Sequence, residues 1–169
     1  MRRPRELRNH ASYHVTARIN RQELLLESEK IKKMLLAIVQ RAKGKYGFSI
    51  KNFCIMGNHI HFIIKPLKKS NLSKIMQWIL SVFAMRYNRM FHLTGHVWYD
   101  RFSSKIISGI RQYLATFIYI AKNPVESGIV KHATDYVYSG IYCIHKGFLG
   151  ILDRPPNCIL KLVWPKILH

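Results

Sequence analysis

The order of apolar and polar residues predicts short strands alternating with long amphipathic helices. In residues 12–19, Tyr13, Val15, Ala17 and Ile19 fall on one side and His14, Thr16 and Arg18 on the other, the period-two pattern of a half-buried strand. A loop at Asn20-Arg21-Gln22 follows, and Ser28 is placed to cap a helix with the apolar stripe Ile31, Leu35, Ile38, Val39, Ala42 and Tyr46. Lys32, Lys33 and Lys43 lie off that stripe and read as a solvated face, with Gly44 and Gly47 closing the helix. Residues 48–56 and 59–65 read as two strands of an antiparallel hairpin, joined by a tight Gly57-Asn58 turn. Pro66 and Lys68-Lys69-Ser70 make a basic connector to a long helix, capped by Ser70 or Asn71. Its stripe is Leu72, Ile75, Met76, Ile79, Leu80, Phe83 and Tyr87. Residues 103–108 predict a fourth strand, and residues 110–123 a helix stopped by Pro124. A short helical piece from Val125 and a tyrosine-rich segment through Lys146 come next. Beyond Gly150 lies a tail with Pro155-Pro156 and an apolar patch around Trp164, to which the pattern assigns no role.

Composition narrows the function. The 169 residues fit one domain, residues 1–150 with a basic N-terminal arm, followed by the tail of residues 151–169. A hydrophobic content of 49% excludes a disordered chain. The 28 Lys and Arg stand against 8 Asp and Glu, and a net charge of +20 attracts polyanions, of which nucleic acid is the commonest inside a cell. An anionic membrane is the competitor, but no apolar run of about 18 residues is present to span one. Met1-Arg2-Arg3-Pro4-Arg5 leads into polar residues rather than the apolar stretch of a signal peptide. Cys54, Cys143 and Cys158, without C-x-x-C spacing, suit a reducing cytoplasm and argue against a zinc ribbon or disulfide framework. Between Lys30 and Val125 the only carboxylate is Asp100. Two-metal phosphoryl chemistry needs several convergent carboxylates, so any metal in this central region must be held by histidine.

The candidate chemistry starts at Met56-Gly57-Asn58-His59-Ile60-His61-Phe62. On a strand, His59 and His61 share one face and Ile60, Phe62 and Ile64 the other, which makes the imidazoles half of a divalent-metal site. The alternative is a pair that faces solvent or satisfies hydrogen bonds in a half-buried sheet. On the last long helix Tyr119 and Asn123 are spaced i, i+4 and project from one side. Opposite the imidazoles, the amide oxygen would add a metal ligand and the phenol a nucleophile for phosphorus. The alternative is a packing tyrosine and an asparagine that ends a helix before proline. Arg86 and Arg89 lie off the stripe of their helix and are candidates for phosphate contact. Gly95-His96-Val97-Trp98-Tyr99-Asp100-Arg101-Phe102 combines aromatic and basic groups: Trp98 and Arg101 either stack against unpaired nucleic acid or anchor a loop to the core.

Across most of its length, from about Arg8 to about Gly147, the chain resembles the REP-associated tyrosine transposases, a branch of the single-tyrosine HUH transposases. Tyr13-His14-Val15-Thr16-Ala17-Arg18-Ile19-Asn20 is similar to the family's opening strand, and Met56-Gly57-Asn58-His59-Ile60-His61-Phe62 to its histidine motif. Asn71-Leu72-Ser73 opens the long helix as in the family. Gly95-His96-Val97-Trp98 through Arg101-Phe102 resembles its glycine-histidine loop and following strand, Tyr119-Ile120-Ala121-Lys122-Asn123-Pro124-Val125 its nucleophile helix, and Asp135-Tyr136-Val137-Tyr138-Ser139-Gly140 its closing segment. The resemblance implies an α+β, ferredoxin-like antiparallel sheet with helices packed on one face. It implies that His59 and His61 hold a divalent metal, Mg²⁺ or Mn²⁺, that Tyr119 is the nucleophile, and that Asn123 is a third ligand. Two departures are Gly57, where proline is usual before Asn-His, and Ser139-Gly140, where two serines are common.

The expected activity is that of a DNA transposase that cuts and rejoins single-stranded DNA near hairpin ends through a 5′-phosphotyrosine. Arg86, Arg89, Trp98, Arg101 and the N-terminal arginines are the candidates for gripping DNA. The competing readings are a non-catalytic nucleic-acid-binding module and a replication-initiator or relaxase-type nickase using the same chemistry. Oligomeric state stays open between a monomer and a homodimer that exchanges the nucleophile helix.

Overall fold

Alternation along the first strand, β1 (Ser12–Arg18), is realised as buried Tyr13, Val15 and Ala17 between less buried neighbours. The computed structural model describes residues 8, 10–67 and 70–168; the basic arm before Arg8 and the Lys68-Lys69 part of the connector lie outside the described residues. After β1 come α1 (Glu29–Tyr46), β2 (Phe48–Ile55), β3 (His59–Pro66), α2 (Leu72–Phe91), β4 (Ser103–Ile107), α3 (Ile110–Glu126), α4 (Gly140–Lys146) and α5 (Asn157–Leu168). The strands form one antiparallel sheet in the order β2-β3-β1-β4. Thus β1 runs parallel to β2, and β3 to β4, each pair joined through a helix. Right-handed crossovers place α1 and α2 on the same face, which is the ferredoxin-like arrangement.

That face is an apolar layer. Tyr13, Val15 and Ala17 pair in register with Ile64, Phe62 and Ile60, and none of the six is more than 2% exposed. In α1 the Ser28 hydroxyl accepts the Ile31 N–H at 3.3 Å, and Gly47, at φ 62°, ends the helix with its N–H on the Lys43 carbonyl. Gly44 stays inside the helix. Lys32 leaves the expected solvated face: it is 6% exposed, its Nζ donates to the Glu27 carbonyl at 2.7 Å, and it lies over the Tyr138 ring. A lysine stem can bury itself this way when the ammonium finds an acceptor. In α2 the Asn71 side chain caps Ser73 and Lys74, and the buried residues are the seven of the expected stripe.

The opposite face is covered too, by α3. Pro124 does not stop this helix, which runs on to Glu126. The proline sits in the last turn, where it deprives only the Ile120 carbonyl of its N–H partner, and the Ser127 N–H returns to the Asn123 carbonyl at 3.0 Å. Beneath α3, β2 shifts register between Ile50 and Asn52. Asn52, fully buried, donates from its amide to the Phe117 carbonyl at 3.0 Å and accepts the Phe53 N–H at 2.9 Å, tying helix to sheet. Gly140, at the start of α4, lies against this amide; a β-carbon there would run into Asn52 Oδ1 and stand 3.1 Å from the Phe53 nitrogen.

Residues past Gly150 are part of this layer. In α5, Ile159, Leu160, Val163 and Ile167 are buried, and the helix packs on α3. Asp153 holds the segment to β2: its carboxylate accepts the Ile50 N–H at 2.9 Å and the Lys43 ammonium at 2.6 Å.

Candidate metal and tyrosine site

The covered polar face is where the candidate side chains meet. Register pairing sets Thr16 opposite His61 and Arg18 opposite His59 on adjacent strands. The Gly57-Asn58 turn closes with the Met56 N–H on the His59 carbonyl, so His59 enters the strand at its first residue. From the helix side, α3 brings Tyr119 edge-on to His61, ring centroids 5.5 Å apart, and to His14 at 5.9 Å. His59 and His61 are themselves 4.9 Å apart and nearly perpendicular. Asn123, one turn beyond Tyr119, turns its amide oxygen to His59 Nε2 at 3.3 Å. Five side chains, His14, His59, His61, Tyr119 and Asn123, from three distant parts of the sequence thus face one another within a single chain. Tyr119 is the most open of them, 44% exposed, whereas His61 and Asn123 are buried.

Each imidazole is oriented from behind. Asn58 Oδ1 lies 2.6 Å from His59 Nδ1 and accepts its N–H, leaving Nε2 with a lone pair. That lone pair faces a second acceptor, Asn123 Oδ1, and two acceptors hold such a position comfortably only around a proton or a cation. His61 Nδ1 is within 3.1 Å of Thr16 Oγ1 and 3.0 Å of His14 Nε2, while His61 Nε2 is buried with no hydrogen-bond partner among the described residues. A buried polar atom without a partner costs stability unless a group from outside the chain meets it. The donor set fits a divalent cation: two imidazole nitrogens freed by bonds on their far sides and an amide oxygen. Among the described residues no three His, Cys, Asp or Glu cluster to hold a metal; the group beside the two imidazoles is the amide oxygen of Asn123.

The surroundings of these imidazoles favour their neutral form. Burial depresses the His61 pKa to about 3, with His59, His14 and Arg18 adding to the effect. Burial lowers His59 as well; the Asn123 contact opposes the shift and Arg18 adds to it. His14 is lowered by burial and by Lys105.

A family model described as "Transposase IS200 like" matches residues 8–123. The chain belongs to the IS200-like transposase family. The fold of this transposase is similar to that of a REP-associated tyrosine transposase solved bound to a REP hairpin: 22% sequence identity, 92% of each chain covered, TM-score 0.74. It is also similar to a candidate transposase from Deinococcus radiodurans R1, at 16% identity over 68% of this chain and 96% of that one, TM-score 0.50. No curated protein matches the chain.

The other sequence candidates are spread over the transposase surface or sunk in it. Arg86, Arg89 and Arg101 are exposed. Trp98 is in the core, 9% exposed, its indole N–H donating to the Leu80 carbonyl at 2.9 Å and its ring 5.2 Å from Phe83. The exposed rings of that loop are His96 and Tyr99. Sequence reasoning passed over His14, Thr16 and Asn58 as partners of the histidines. Period-two alternation puts His14 and Thr16 on one face of β1, but only the β1–β3 register shows that this face meets His61. At position 57 a β-carbon would come 3.0 Å from Leu24 Cδ2, an exposed side chain free to move, so the turn does not depend on glycine.

Proposed function

We propose that this protein cleaves and rejoins single-stranded DNA through a covalent bond to Tyr119, with a divalent cation, Mg²⁺ or Mn²⁺, held by His59, His61 and Asn123. The observation that carries the reading is the convergence, in one chain, of the Tyr119 phenol with the partnerless Nε2 of His61. When bound, the cation supplies Lewis-acid polarisation of a phosphoryl oxygen. The chain's own part follows from its geometry. Thr16 and His14 fix the ring of His61, and Asn58 fixes that of His59, so neither ligand has to reorient. Tyr119, exposed enough to meet a DNA strand, gives up its phenolic proton as its oxygen bonds to phosphorus. The bond from phosphorus to the 3′-oxygen breaks, and that oxygen leaves with a proton as a 3′-hydroxyl. The DNA stays attached as a 5′-phosphotyrosine, whose bond energy lets a later 3′-hydroxyl rejoin the strand without ATP.

The surrounding positive charge, +20 over the chain, supports a polyanionic substrate. The solved neighbour that carries a REP hairpin supports hairpin-flanked DNA as the class to test first. Incubation of hairpin-flanked single strands with Mn²⁺ should give a denaturation-resistant protein–DNA adduct. Tyr119→Phe should abolish the adduct while binding the same DNA within about twofold, as expected for loss of a nucleophile alone. An adduct from Tyr119→Phe, or none from the wild-type protein on any such strand, overturns the reading.

A further inference from the structure

A groove of about 700 Å³ lies between α2 and the loop of residues 95–102, and neither His59 nor His61 lines it. We propose that it binds one unpaired nucleotide of the substrate strand, with the Tyr99 ring as stacking platform and the Gln77 amide reading the base edge. The inference rests on the reading of the protein as a single-strand DNA enzyme and adds to it a second contact.

Four observations carry it. The first is the contrast within the loop: Trp98 turns inward and is 9% exposed, whereas its neighbour Tyr99 is 70% exposed. A ring left that open contributes little to packing. The second is that this open ring stands on fixed backbone. Tyr99 N–H donates to the Arg18 carbonyl at 2.9 Å, Asn20 N–H to the Val97 carbonyl at 2.9 Å, and Trp98 bridges to Ile19 as one more antiparallel pair beside β1. Stacking on a fixed ring loses little side-chain freedom on binding, which is what a platform needs.

The third observation is position. Arg18, bonded to Tyr99 on one side, is the register partner of His59 on the other. The Tyr99 backbone is therefore two strand spacings from that of His59, about 10 Å. A strand with a phosphate at the histidines reaches that far within about three stacked nucleotides. The fourth is the lining. Ser73 and Gln77 of α2 face His96, Tyr99 and Arg101 of the loop, over an apolar floor that includes Trp98. An amide offers both a donor and an acceptor to a base edge, and the exposed Arg101 can take the accompanying phosphate. In duplex DNA both faces of a base are covered by its neighbours, so the exposed Tyr99 ring in a concave groove, with exposed His96 beside it, suits an unpaired base.

The test uses fluorescence anisotropy of the full chain with chelator present, so that no chemistry intervenes. The probes are a blunt DNA hairpin and the same hairpin with a short single-stranded extension on its 5′ or 3′ side. Tyr99→Ala should weaken binding of one extended hairpin about 10-fold and leave the blunt one unchanged, the size expected for losing one base–aromatic stack. Tyr99→Phe should bind like the wild type. Gln77→Ala should alter the ranking of extensions that differ in base sequence. Equal losses on blunt and extended hairpins, no loss on either, or a wild-type protein that does not distinguish them would each overturn the subsite. The adduct assay separates the two claims: an adduct without any Tyr99 effect on binding removes the subsite alone, and a Tyr99 effect without adduct removes the chemistry alone.

Discussion

The two faces of one sheet are both covered by helices, yet they are built from opposite materials. Under α1 and α2, Ile60, Phe62 and Ile64 of β3 meet Tyr13, Val15 and Ala17 of β1, and none has a polar role in the layer apart from the Tyr13 hydroxyl, which reaches the Arg8 backbone. Under α3, the same two strands present His14, Thr16, His59 and His61, with Asn52 from β2 and Asn123 from the helix. The first layer stabilises the fold by removing apolar surface from water, at about 25 cal/mol per Å². The second keeps a polar nitrogen buried and partnerless, which opposes stability. The difference teaches that one side of the sheet holds the fold together while the other keeps polar groups buried at some cost to it.

The strongest way to break this contrast is a pair of truncations one sheet apart in orientation. Phe62→Ala should cost about 3–5 kcal/mol in urea unfolding, as for other buried aromatic truncations. His59→Ala should cost less than about 1 kcal/mol and yet abolish Mn²⁺ binding by calorimetry, since its ring is only partly buried and its partners are other site residues. Equal destabilisation by both would make the polar face an ordinary core. A finer test is Thr16→Val, which keeps the shape and removes one of the two bonds on His61 Nδ1. Mn²⁺ affinity should fall about 10-fold or more, the usual cost of losing a partner behind a metal ligand. Unchanged affinity would leave His14 as sufficient support. Two glycines test the frame itself, one crowded and one open. Gly140→Ala should destabilise by about 1–3 kcal/mol in thermal unfolding, because the new methyl meets the Asn52 amide and the Phe53 backbone. Gly57→Ala should stay within about 1 kcal/mol, since only the mobile end of Leu24 is in the way.

How much of this could be read from sequence depended on whether one element or two were involved. The seven apolar positions of α2 are its seven buried residues, because a stripe at helical spacing already states which side faces a core. The His59–His61 pairing on one face, and Tyr119 above Asn123, were legible for the same reason: period two and period 3.6 are properties of a single element. What joined them was not. The registers of β1 against β3, and the placement of α3 across that face, involve residues far apart in sequence, so His14 and Thr16 gave no sign of their partner. Asn58 was visible only as a turn residue. Pro124 read as a stop because a proline is costly in mid-helix, but in the last turn it costs a single hydrogen bond. Residues 151–169 read as a tail of Pro155-Pro156 and an apolar patch with no assigned role; the buried Ile159, Leu160, Val163 and Ile167 explain why α5 stays on α3.

The buried amide of Asn52, bonded to the carbonyl of Phe117, fastens α3 two residues before Tyr119. Trading this helix between two copies would mean undoing that bond, baring the Asn52 amide and lifting α5 away with it. On the proposed chemistry each molecule would then use its own phenol, and the adduct formed per molecule should hold steady on dilution.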